Sequence, residues 1–164
     1  MIKAAVFDLD GTLLDLPIDY PSLHEKFKQL MDVDEVRPIL KTVAQIQNPQ
    51  VLKQVFDAWT GFELAILDKV TVHEEGMQLY HQYAALPKAL VTMQGKETIK
   101  QILKKFDLNF DAAFTREDSF SRTEQLKAAM AKLGFSPADV LFVGNMDNDE
   151  NAAKQVGCQF IRIK

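Results

Sequence analysis

The sequence predicts an α/β protein, a small Rossmann-like core of three layers around a parallel sheet, with an inserted all-helical domain. Three observations carry this. Residues 2–9 are a short apolar run rich in β-formers that ends in an acidic, glycine-containing turn. Residues 17–72 show helical apolar spacing and are punctuated by Pro17, Pro21, Pro38 and Pro49. From residue 73, short apolar runs alternate with amphipathic stretches. Strand–helix alternation of that kind implies a parallel sheet with right-handed crossovers.

The first run, I-K-A-A-V-F-D-L, reads as a buried strand with Asp8 and Asp10 at its carboxyl end. In the insertion, Leu23, Phe27, Leu30 and Met31 fall at i, i+4, i+7, i+8. Val36, Ile39, Leu40 and Val43 repeat the helical period, and Val51, Val55, Trp59, Phe62 and Ile66 continue it. Asn48 followed by Pro49 makes an N-cap and first-turn pair. These signals imply three or four helices and no strand.

Past residue 73, Met77, Tyr80, His81 and Ala84 share a helical face, and residues 89–93 read as a strand. Ile99, Ile102, Leu103 and Phe106 give the next helix, and residues 112–115 a weak strand. S-R-T-E at 121–124 has capping-box form and opens a helix whose face is Leu126, Ala129, Met130 and Leu133. Residues 140–143 are an apolar strand, and residues 148–156 a short helix that Gly157 stops. Residues 160–163 form the last strand, so the sheet has about five strands in all. The division that follows is a core of residues 1–16 and 73–164 and a helical domain of residues 17–72.

The 164 residues are 47% hydrophobic and 26% charged, the balance of an ordinary globular domain. A net charge of -4 argues against a non-specific nucleic-acid binder. No apolar run approaches the ~18–20 residues of a membrane span. Asp8 and Asp10 interrupt the amino-terminal run before a signal-peptide region can develop. The single cysteine, Cys158, cannot form an internal disulfide, and the cytoplasm is the expected setting. His24, His73 and His81 lack metal-ligand spacing.

In open α/β sheets, ligands sit at the carboxyl ends of the strands. Here those ends carry Asp8 and Asp10, then Thr92, then Gly144 and Asn145, with Asp147 and Asp149 next. Acids gathered at one sheet edge repel each other unless a cation sits among them, which points to Mg²⁺. Asp8 and Asp10 are two apart, so an extended backbone projects both to one side. The string F-D-L-D-G-T-L-L-D at 7–15 resembles the first motif of the haloacid dehalogenase superfamily. Thr92, Arg122 and V-G-N-M-D-N-D at 143–149 follow in the order of its later motifs. The helical insertion is similar to the superfamily's cap domain, so the resemblance spans essentially the whole chain.

The resemblance implies a Mg²⁺-dependent phosphatase acting on a small phosphorylated metabolite, with no nucleic-acid or membrane partner. It makes Asp8 the nucleophile that forms an aspartyl-phosphate, and Asp10 the acid that protonates the leaving oxygen and later takes a proton from water. It places Gly11, Thr12, Thr92, Met93 and Arg122 around the phosphate. It draws the metal ligands from Asp8, Asp10, Asn145 and Asp149. Asp15 is a candidate to tie down the turn after Gly11. The acid at position 10 favours phosphoryl transfer over dehalogenation, because a halide needs no proton to leave and an alkoxide does. Asn145 departs from the Asp usual in the fourth motif, and Asp147 or Asp149 is a candidate to compensate. Two alternatives stay open: a phosphomutase with the same first motif, and a catalytically impaired relative that binds a phosphorylated ligand or partner.

Overall fold

A computed structural model describes all 164 residues. Strand β1 (Ala4–Phe7) lies at the centre of a five-stranded sheet. It pairs in parallel with β4 (Lys88–Val91) on one side and β6 (Val140–Gly144) on the other. β5 (Ala112–Phe114) adds to β4 and β7 (Gln159–Arg162) adds to β6, both parallel, so the order is β5-β4-β1-β6-β7. The chain builds outward from β1 through β4 to β5, then crosses back to β6. The crevice between β1 and β6 is therefore a topological switch point, where open α/β sheets place ligands. All five strands expected from the sequence are present, each within two residues of its expected limits.

The alternation of residues along the central strands feeds two cores. Ala5, Phe7, Leu90, Leu141 and Val143 point into one apolar cluster, while Ala4, Val6, Ala89, Val91 and Phe142 point into the other. The second cluster is closed by α6 (Arg122–Leu133) and α7 (Asp147–Val156) through Leu126, Ala129, Met130, Ala152 and Ala153. The first is covered by α4 (Glu74–Gln82) and α5 (Lys96–Lys105). It also runs without a break into the helical insertion through Leu23, Phe27, Val55 and Trp59.

The insertion holds α1 (Tyr20–Met31), α2 (Ile39–Ala44) and α3 (Pro49–Leu64), then a 3₁₀ turn at Leu67–Lys69. α3 starts as its sequence dictates: Pro49 occupies the first turn and Asn48 Oδ1 accepts from the amides of Gln50 and Val51. α1 begins on Asp19, whose carboxylate accepts from Ser22 N at 3.2 Å. The stretch 17–72 is not free of strand: β3 (Thr71–Val72) pairs antiparallel with β2 (Leu14–Asp15). Two-residue strands carry no periodicity to read, and this pair exists only because the chain leaves and re-enters the core side by side. No helix is long and apolar enough to cross a membrane.

Candidate active site

Register puts the three central strands in step. Phe7 is level with Leu90 of β4 and Val143 of β6, so the residues that follow each strand meet at one edge. There Asp8, only 5% exposed, sits between two donors. Arg122 Nη2 donates to Asp8 Oδ1 at 3.0 Å, and the Thr12 hydroxyl to Asp8 Oδ2 at 3.2 Å. The same hydroxyl lies 3.4 Å from Asn145 Oδ1, which brings the Asp8 carboxylate and the Asn145 amide oxygen to a common point.

The loop after β1 is wound tightly, with the amides of Thr12, Leu13 and Leu14 all directed at Leu9 O. Gly11 adopts φ +74°, and a Cβ there would lie 2.2 Å from Asn145 Nδ2. Both conformation and space therefore demand glycine. The loop is tied by Asp10 rather than Asp15: Asp10 Oδ1 accepts from Leu16 N at 3.0 Å, while Asp15 is exposed.

Arg122 opens α6 and spends its guanidinium inside the protein. Besides Asp8, its Nε donates to Asp149 Oδ1 at 2.8 Å and its Nη1 to Gln125 Oε1 at 2.8 Å. Gln125, which the sequence reading passed over, donates in turn to the carbonyls of Thr92, Thr115 and Ser119. It bolts α6 to the ends of β4 and β5. Its only sequence signal is a polar residue one turn after Arg122, among the apolar positions of that helix.

Asp149 has both oxygens committed: Oδ1 to Arg122, and Oδ2 to the amides of Asn145 at 3.2 Å and Met146 at 3.1 Å. It shapes the turn that presents Asn145. Asp147 points away, 89% exposed and paired with Arg162 at 2.7 Å, so it does not replace the acid that Asn145 lacks. Thr92 is wholly buried, with its hydroxyl bonded to the Gln94 side chain, and Met93 and Gln94 form the wall in front of it. Gln94, which departs from the residues usual in the second motif, is a second residue to which the sequence assigned no role.

Above this edge lies a cavity of about 730 Å³. Its floor includes Asp8, Asp10, Arg122 and Asn145, and the insertion lends Tyr20, Ile39, Leu40, Lys41 and Trp59. Burial pushes Asp8 up to about 7 against the pull of Arg122, and Asp149 and Asp10 reinforce the rise. Burial also raises Asp10, which the charges of Asp15 and Glu63 reinforce. A site in which burial and neighbouring acids hold both carboxyls toward the neutral form is short of positive charge. The donors at hand are a carboxylate, a side-chain amide oxygen and main-chain carbonyls, with no three acid, histidine or cysteine side chains gathered to cage a metal. This all-oxygen, charge-deficient set fits Mg²⁺, which is commonly held by one or two carboxylates and keeps several waters.

Comparison with known proteins gives a consistent family. The model of the haloacid dehalogenase-like hydrolases matches residues 5–163. The pyrophosphatase PpaX of Anoxybacillus flavithermus is 26% identical, over 95% of this chain and 80% of its own length. The phosphoglycolate phosphatase of Salmonella paratyphi A is 25% identical, over 77% of this chain and 52% of its own length. Among solved structures, a hydrolase from Pseudomonas syringae shares the fold with a TM-score of 0.75 at 16% identity, covering 98% of this chain and 84% of that one.

Proposed function

The chain belongs to the haloacid dehalogenase-like hydrolases, and from that membership we propose that it is a phosphatase for a small phosphorylated metabolite. The observation that carries the reading is Asp8. Its carboxylate stands at the switch point, on the floor of the cavity, between Arg122 and Thr12 and two residues from a second buried acid.

In this reading an Asp8 oxygen attacks phosphorus, and the bond from phosphorus to the leaving oxygen breaks. Asp10, whose raised affinity for a proton suits it to the task, protonates that oxygen as it departs. Asp10 then takes a proton from the water that attacks the aspartyl-phosphate, which releases phosphate and restores Asp8. Arg122 spreads its charge over the transferring group, and Met93 and Gln94 line its path. Mg²⁺ bound by Asp8, Asn145 and the Asp10 carbonyl would offset the repulsion between anionic nucleophile and anionic substrate. Asp149 acts on it through the turn that carries Asn145. Residues 17–72 serve as the cap that roofs the cavity and excludes water. Turnover of a panel of phosphomonoesters, followed by phosphate release with and without Mg²⁺, tests the reading. No turnover of any ester in Mg²⁺ would leave the binder alternative, and isomerisation of a sugar phosphate primed with a bisphosphate would reveal a mutase.

The cavity also selects. Its cationic lining residues are Arg122 and Lys41. Arg122 is engaged by Asp8 and Asp149, whereas Lys41 on α2 makes no ion pair. Lys41 is thus free to meet a second anionic group of the substrate. The names of the relatives, a pyrophosphatase and a phosphoglycolate phosphatase, describe substrates with such a group. Lys41→Ala should reduce kcat/KM for phosphorylated carboxylates or diphosphates about fivefold more than for a neutral aryl phosphate, the worth of one solvent-exposed charge contact. Equal losses for both classes would remove Lys41 from substrate choice.

Asn145 sets the metal affinity. Asn145→Asp adds a negative charge beside the cation, worth about 4 kcal/mol at 4 Å in an effective dielectric near 20 before desolvation. Repulsion from Asp8 and Asp149 cancels much of this. A gain of about tenfold in Mg²⁺ affinity remains, ~1.4 kcal/mol, read by calorimetry on the protein without substrate. An unchanged affinity would show that Asn145 does not face the metal.

A further inference from the structure

The contact between α3 of the insertion and the start of α5 contains an ion pair that the chemistry above does not use. Glu63 and Arg116 are both without solvent exposure, and Arg116 Nη1 donates to Glu63 Oε2 at 2.8 Å. Two charges withdrawn from water are costly, and a well-packed apolar contact of similar volume would serve stability as well or better. What such a contact could not do is aim polar atoms. The pair aims them at one target, the loop of residues 92–95. Glu63 Oε1 accepts from Gly95 N at 3.1 Å and from the Thr98 hydroxyl at 2.9 Å. Arg116 Nη1 also donates to Met93 O at 3.3 Å, and Arg116 N to Gln94 O at 3.4 Å.

Gly95 is the N-cap of α5 and offers no side-chain acceptor for the helix's free amides. The carboxylate of Glu117 takes the amide of Lys96, and Glu63 adds a second carboxylate from the insertion, on the Gly95 amide and the Thr98 hydroxyl, at the end of the helix where a negative charge is favourable. The glycine at residue 95 makes room for the Arg116 guanidinium and the Thr60 hydroxyl. A Cβ there would lie 2.6 Å from Arg116 Nη2 and 2.9 Å from Thr60 Oγ1. The pair reaches the roof as well: Nη2 donates to Thr60 Oγ1 at 2.8 Å, and the guanidinium lies 4.4 Å from the centre of the Trp59 ring. Trp59 lines the cavity together with Met93 and Gln94.

We propose that Glu63 and Arg116 are positioning residues, which seat the cap on the core and thereby hold the 92–95 loop in the shape that receives the phosphoryl group. The proposal rests on the phosphatase reading of the cavity. Its consequence is that cap and phosphate loop form one unit, so that the loop is complete only when the cap is seated.

The chain contains one tryptophan, and it stands in this contact, so its emission reports on the site directly. The experiment titrates inorganic phosphate into the 164-residue chain in Mg²⁺, by calorimetry and by Trp59 fluorescence. It compares the wild type with Glu63→Gln, Arg116→Lys and Gly95→Ala. Phosphate should shift Trp59 emission in the wild type. Glu63→Gln and Gly95→Ala should weaken phosphate about tenfold, ~1.4 kcal/mol, abolish the emission shift and raise KM more than they lower kcat. Arg116→Lys, which keeps the charge, should lose less affinity than Glu63→Gln. Gly95→Ala leaves both charges in place at a φ that alanine adopts freely, so it decides the matter if Glu63→Gln does not fold. Folded variants that bind phosphate within about twofold of the wild type would reduce the pair to a stability element and overturn the proposal. So would calorimetric binding by the wild type with no change in Trp59 emission. A wild type that binds no phosphate at all would overturn the phosphatase reading and this proposal with it.

Discussion

Asp8→Asn is expected to lower phosphate release by ~10⁴-fold or more, the scale on which loss of a covalent nucleophile is felt. The fold should survive. The amide matches the carboxylate in shape, keeps an oxygen to accept from Arg122, turns its N–H toward the Thr12 hydroxyl as donor, and removes a charge that burial opposes. The variant should therefore unfold in denaturant no earlier than the wild type. Beryllofluoride, which mimics an acyl phosphate on aspartate, adds a test that does not depend on turnover. With Mg²⁺ it should raise the wild-type Tm and inhibit hydrolysis, and it should do neither to the Asn variant. A variant that keeps turnover within about tenfold of the wild type, or that beryllofluoride still protects, would move the phosphoryl site off Asp8.

The parts of this molecule that were legible in its sequence are those set by short-range physics. Residues 4–7 could only be a buried strand, and Asn48-Pro49 and Ser121 start helices because capping is local. The order of the polar residues at strand ends placed Asp8 and Asn145 at one sheet edge, and the family resemblance added Arg122 from a helix start. What stayed hidden is which lone pairs and donors remain free once the chain closes. Asp147 and Asp149 look equivalent as text, yet one is drawn to Arg162 on the surface and the other is consumed by Arg122 and two amides. Thr92 stands at the right strand end but faces Gln94, so the wall of the cavity belongs to its neighbours. The Glu63–Arg116 contact joins residues 53 apart, from the end of α3 to the loop after β5, and no periodicity marks it. β2 and β3 are the same case on a smaller scale: two residues each, paired only by the geometry of the insertion's stem.

That commitment of lone pairs makes Arg122 the residue whose loss is felt in two ways at once. Its three donors satisfy Asp8, Asp149 and Gln125, and its side chain is 7% exposed. Arg122→Met keeps most of the volume and removes the charge, which leaves two carboxylates buried without a cation. Breaking a buried pair in that way costs about 3–5 kcal/mol. Chemical denaturation should show a loss of that size, and added Mg²⁺ should restore part of it by neutralising Asp8. Catalysis should fall further than stability requires. In the proposed reaction the guanidinium faces the group that gains charge in transfer, and removing one such donor costs ~10²–10³ in kcat. Because Asp149 also loses the partner that anchors its carboxylate, the turn it holds for Asn145 is less firmly fixed, and the loss should lie toward the upper end of that range. Arg122→Lys separates the two effects. A lysine carries the charge but cannot reach Asp8, Asp149 and Gln125 together, so it should recover more of the stability than of the rate. If Arg122→Met keeps kcat within about tenfold of the wild type in saturating Mg²⁺, the guanidinium holds the fold and takes no part in phosphoryl transfer.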